Sequence, residues 1–138
     1  MMLYGSETWK MMKVLTNKIR VFINRCLRSI LRVKWSDKIS NQCIWKRSKQ
    51  EDIETQIKRR KWRWVGHTMR KEPNNTTRVA LQWNPQGHRR RGRPTTTWRR
   101  SSSSELQKEG LNWKSVVEKA QHRVWWKSVV EALCSTQS

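Results

Sequence analysis

Apolar residues recur at three- and four-residue steps from about Lys10 to Leu31: Met12, Leu15, Ile19, Phe22, Ile23, Cys26, Leu27, Ile30 and Leu31. That spacing predicts an amphipathic helix about 33 Å long. Lys13, Lys18, Arg20, Arg25, Arg28 and Arg32 occupy its other faces. Thr8 is placed to cap it, and Met11 at the third position leaves no capping box. The apolar stripe is expected to pack on a partner while the basic ridge faces outward.

Trp35-Ser36-Asp37 interrupts the pattern. Ser40 then caps a short helix, Asn41 to Arg47, that buries Ile44, with Cys43 and Trp45 as further candidates. A stronger helix runs from Glu51 to about Met69. Ile53, Ile57 and Trp64 share one stripe, with Trp62, Val65 and Met69 beside it. Its acidic first turn, Glu51, Asp52 and Glu54, suits the positive end of the helix dipole. Lys58-Arg59-Arg60-Lys61 then puts four cations on one turn, an arrangement that a polyanion would relieve.

Pro73-Asn74-Asn75 is a turn cluster. Val79, Ala80, Leu81 and Trp83 form a short apolar segment whose type the pattern leaves open. Residues 84–97 read as a linker, with Pro85, Gly87, Gly92 and Pro94 set among Arg89, Arg90, Arg91 and Arg93. Beyond it, Trp98, Ser102 and Leu106 mark a helix ending at Gly110, a favourable left-handed terminator, though the serine run 101–104 weakens it. Asn112 caps a helix from Trp113 to Ala120. Trp126, Val129, Val130 and Leu133 give the last one. The fold class is therefore all-α: a small irregular helical bundle with a long N-terminal amphipathic helix and a basic, flexible linker. Its expected organisation is a basic helical segment over 1–83, the linker 84–97, and a C-terminal helical segment over 98–138 that is partly disordered.

Charge changes the picture. Among 138 residues, 31 Lys and Arg stand against 10 Asp and Glu, a net charge of +21. The excess is +10 over residues 1–50 and +10 over 51–100, but only +1 beyond. A field of that sign and size favours a polyanion, above all nucleic acid, whose phosphates release condensed counterions when neutralised. RNA and DNA are both expected partners, with little base selectivity. Phosphate contact is expected from Arg28, Arg32, Lys58, Arg59, Arg60, Lys61 and Arg63, and from Arg89, Arg90, Arg91 and Arg93. Arg91-Gly92-Arg93-Pro94 also matches the core of the minor-groove AT-hook peptide. That leaves open an alternative, a small architectural DNA-binding protein. Ten tryptophans among twelve aromatic residues are expected mostly to anchor a thin core.

Catalytic groups are scarce. No adjacent Asp-Asp pair offers a two-metal site, and no Gly-rich loop followed by Lys-Ser or Lys-Thr cradles a phosphate. His67 reads as a packed or surface histidine rather than a general base. Cys26, Cys43 and Cys134 are too scattered for a disulfide scaffold or a zinc knuckle. No catalytic residue, metal, cofactor, small-molecule substrate or membrane partner is expected, and the N-terminus carries no secretory pattern. A nuclear or cytoplasmic location follows; the oligomeric state is open.

Four strings keep a recognisable order: Leu3-Tyr4-Gly5-Ser6-Glu7-Thr8-Trp9, Arg25-Cys26-Leu27-Arg28, Arg63-Trp64-Val65-Gly66-His67, and Arg89-Arg90-Arg91-Gly92-Arg93-Pro94 followed by Trp98. Together they resemble the C-terminal region of the endonuclease–reverse transcriptase polyprotein of non-LTR (LINE-type) retrotransposons, over nearly the whole chain to Trp126. The resemblance implies the polymerase thumb and the segment beyond it, with the paired catalytic aspartates, fingers and endonuclease encoded before Met1. Met1 would then be an internal methionine, and the chain a fragment or degenerate copy of an RNA-directed DNA polymerase, unable to polymerise alone. The same resemblance implies that the first helix grips a template–primer duplex by its backbone and that the Arg-rich linker holds template RNA or target DNA. Departures from the family point to decay. Arg99-Arg100-Ser101-Ser102-Ser103-Ser104 replaces an acidic, apolar-patterned helix, and Lys61 and Thr68 stand where apolar residues are expected. A non-functional remnant open reading frame is the other alternative.

Overall fold

Short polar side chains set most helix starts in the computed structural model, which describes residues 2–83, 87, 91–92 and 97–135. The helices are α1 (Lys13–Ile30), α2 (Asn41–Ser48), α3 (Ile53–Met69), α4 (Thr76–Gln82), α5 (Trp98–Lys108), α6 (Trp113–Gln121) and α7 (Arg123–Ser135). Tight 3-10 turns lie at Ser6–Thr8 and Trp35–Asp37, and no strand occurs among the described residues. The chain is an all-α, irregular helical bundle. Arg89, Arg90 and Arg93 of the expected linker lie outside the described residues.

Ser40, Asp52, Asn75, Thr97 and Asn112 each accept a backbone N–H from the first turn of the following helix. Asn112 does so reciprocally with Ser115, a full capping box. Gly110 ends α5 at φ +66°, with the Leu111 N–H returning 2.9 Å to the Leu106 carbonyl. One expected cap fails. Thr8 sits in the first 3-10 turn, its hydroxyl donating to the Gly5 carbonyl. Trp9 is then extended, so α1 starts only at Lys13.

The ambiguous apolar segment is α4, with Leu81 buried. The serine run does not prevent α5. Ser101, Ser103 and Ser104 turn their hydroxyls back onto carbonyls four residues earlier, and Ser102 is buried.

α3 is the central element. Its Trp62, Val65 and Met69 pack with Leu81, Leu106, Val116, Trp126, Val130 and Leu133, so one core draws on both sides of residues 84–97. The close approach of α7 depends on Gly66. A Cβ built there would lie 2.0 Å from Trp126 Nε1, so the indole rests directly on glycine backbone and donates to the Trp62 carbonyl at 3.0 Å. From Trp126 a chain of ring contacts continues through Trp62, Trp113 and Trp98 to Trp64, with centroids 6.2–6.5 Å apart. These five rings anchor the core, whereas Trp35, Trp83 and Trp125 are exposed.

α1 departs from expectation. Its fully buried residues are Thr16 and Asn24; of the apolar stripe, Ile19, Ile23, Cys26, Leu27 and Leu31 are half-buried, while Leu15, Phe22 and Ile30 face solvent. Polar groups help to dock it. Arg20 reaches both Asp52 carboxylate oxygens at 2.7 and 2.8 Å and Glu54 at 3.0 Å, and Asn24 Oδ1 accepts from Trp45 Nε1 at 2.8 Å. A bidentate guanidinium–carboxylate pair fixes direction more tightly than apolar contact does. It therefore decides which face of α1 meets α3. The acidic turn expected only to cap α3 thus also holds α1.

Candidate nucleic-acid interface

Residues on an α-helix advance 100° each, so the four consecutive cations 58–61 leave α3 in four directions. The structure uses them differently. Lys61 is 3% exposed and gives its ammonium to Glu105 at 2.6 Å; Glu105 also accepts from Trp62 Nε1 at 2.8 Å. Burial pushes the Lys61 ammonium down from its usual value in spite of Glu105, and it has no path to a solvent phosphate. Arg59 joins Glu51 to Glu131, tying α3 to α7. Burial opposes its charge, but the two carboxylates outweigh burial and hold it raised.

Lys58 is half-buried on the side of α3 near Cys134. Arg28 donates to the Ile39 carbonyl at 2.7 Å and to Asn41 Oδ1 at 3.0 Å, bracing the link into α2. Arg32 is exposed and ends α1 in the left-handed region at φ +53°. Arg60 is exposed and touches the Leu3 carbonyl. Arg91 is exposed beside Gly92, whose φ is +81°.

Arg63 has a different setting. With His67 and Arg70 it follows an i, i+4, i+7 row on one face of α3, and Arg123 and Lys127, four apart on α7, lie opposite. Trp126 and Val130 form the floor of the open cleft between them, about 530 Å³. No carboxylate lines it among the described residues. Gly66 creates this cleft, because seating Trp126 on bare backbone is what brings the two cationic rows together.

Arg70 carries the clearest electrostatic signature. Its Nη1 donates to the Ala120 carbonyl at 2.9 Å, while its Nε–H is buried without a partner. Burial first, then the neighbouring Arg123, press its guanidinium below the usual value. An anion in the cleft would relieve the repulsion between the two arginines.

Of this group, the charge pattern along the chain points to Arg63 alone. Arg70 and His67 were legible as the continuation of its row; Arg123 and Lys127 were not, because only folding brings α7 alongside α3. Among the described residues no cluster of three His, Cys, Asp or Glu could hold a metal ion, and no helix is long and apolar enough to cross a membrane.

This geometry defines a helical protein with a cationic cleft between α3 and α7. The chain is 28% identical over 108 residues to a Caenorhabditis elegans protein named as transposon-derived and uncharacterized. The match takes in 75% of this chain and 39% of that protein's length. The likeness points to a transposon-related origin. No family model and no solved structure matches the chain.

Proposed function

We infer that this chain is a C-terminal fragment of a non-LTR retrotransposon reverse transcriptase, holding RNA or DNA by its phosphates while bond-making belongs to other parts of the parent enzyme. One observation carries the binding role: the cleft of Arg63, Arg70, Arg123 and Lys127, free of carboxylates among the described residues. The transposon-derived relative and the four ordered sequence strings support the origin. Lys61 and Thr68, polar residues at buried positions of α3, fit a copy drifting from its parent.

Backbone contact is insensitive to base sequence and steeply sensitive to salt. With about six to ten phosphates engaged, affinity for duplex and single-stranded probes falls on the order of 10³–10⁵-fold between 50 and 200 mM salt. A flat response refutes the role. The architectural alternative draws on exposed Arg91 and the left-handed turn at Gly92. Replacing Arg91 and Arg93 by Ala separates the readings. A groove-reading protein loses its preference for A·T-rich DNA, whereas a backbone-holding fragment weakens evenly across sequences.

A further inference from the structure

A second concavity, about 350 Å³, opens between α3, α4 and the start of α5. Trp64, Trp83, Trp98 and Leu81 wall it, and Thr77 and Arg99 stand at its polar margin. Two of the indoles are fixed. Trp64 and Trp98 meet edge to face, 6.3 Å apart at 85°, and Trp98 Nε1 donates to the Glu7 carbonyl. Arg99 is fixed as well, donating to the Leu81 carbonyl at 2.7 Å with its guanidinium over Trp113. Trp83 differs: it follows the last turn of α4 and is 65% exposed.

Aromatic walls, a held cation and a hydroxyl at the margin suit a flat ring with apolar faces and a polar edge. An aliphatic chain would fill the walls and leave Arg99 and Thr77 unused. A lone anion would use Arg99 and leave the walls wet. The chain's net charge of +21 favours a ligand that is itself part of a polyanion.

We propose that this pocket takes one unstacked base of a single-stranded nucleic acid, with Trp83 as the stacking face. The proposal rests on the nucleic-acid reading above and adds to it a discrimination for strands whose bases are free. Trp64 directly follows Arg63 on α3, so the pocket and the cationic cleft are built on one helix. Stacking on an indole is tolerant of base identity, which agrees with recognition that ignores sequence.

The test compares a single-stranded thymidine oligonucleotide with an abasic deoxyribose-phosphate oligomer of equal length, bound to the full chain at one salt concentration. The wild type should prefer the base-bearing strand by about tenfold, within the range measured for base–aromatic stacking. Trp83→Ala should bring that ratio close to one, and Trp83→Phe should restore most of it. Equal binding of both oligomers by the wild type, or an undiminished ratio in Trp83→Ala, overturns the pocket while leaving phosphate binding intact. Failure to bind either oligomer overturns both.

Discussion

Gly66→Ala tests how α3 and α7 come together. A methyl group there would lie 2.0, 2.4 and 2.7 Å from Trp126 Nε1, Cδ1 and Cε2, where non-bonded carbon atoms rest at about 3.5–4.0 Å. The indole must retreat by about 1.5 Å or leave. Retreat breaks its 3.0 Å bond to the Trp62 carbonyl, at a net cost of about 0.5–1.5 kcal/mol. Overpacking adds about 1–3 kcal/mol, and expulsion of the ring about 3–5 kcal/mol instead. Against this, alanine is better than glycine within a helix by about 1 kcal/mol.

The net expectation is a loss of about 0.5–3.5 kcal/mol if the indole retreats and about 2–4 kcal/mol if it is expelled, a large share of the 5–15 kcal/mol typical of a domain. Urea unfolding followed by far-UV circular dichroism measures it. The decisive comparison repeats the substitution in a Trp126→Ala background, where the obstructing ring is gone. There Gly66→Ala should stabilise, by about 1 kcal/mol from helix propensity alone. A loss of the same size in both backgrounds, or no loss in the wild type, refutes the close-approach argument.

Other outcomes follow from single contacts. Thr68 is fully buried with its hydroxyl unpartnered, so Thr68→Val should raise stability by about 1 kcal/mol in the same unfolding assay. Arg20→Ala removes the clamp on Asp52 and Glu54. Amide exchange should then quicken along α1, with α3 and α7 keeping their protection. The three thiols should label in order of exposure under native conditions. Cys43 is open and reacts first, Cys26 follows, and Cys134, buried and with its thiol pushed up by burial, reacts last.

Helix placement was legible because its signals are local: Asn112 and Ser40 capped where expected, and Gly110 ended α5. Core residues of α7 were legible from the step between Trp126, Val129, Val130 and Leu133. The docking of α1 was not. Its apolar spacing names a stripe that is only half-buried, whereas Arg20 and Asp52, whose pairing helps hold the helix, are 32 positions apart. Proximity in sequence likewise misled at residues 58–61, where neighbours on the chain point away from one another on the helix. The cleft pairs residues up to 64 positions apart, Arg63 with Lys127, and no periodicity encodes that.

Whether the cleft holds the nucleic-acid backbone is read from the slope of log affinity against log salt for duplex DNA, compared between the wild type and a variant carrying Arg63→Ala, Arg123→Ala and Lys127→Ala. Each lost phosphate contact should flatten the slope by about 0.9, so the triple variant should lose about 2.7, with unfolding unchanged to show that the bundle is intact. A slope equal to that of the wild type would mean that the cleft between α3 and α7 does not hold the nucleic-acid backbone.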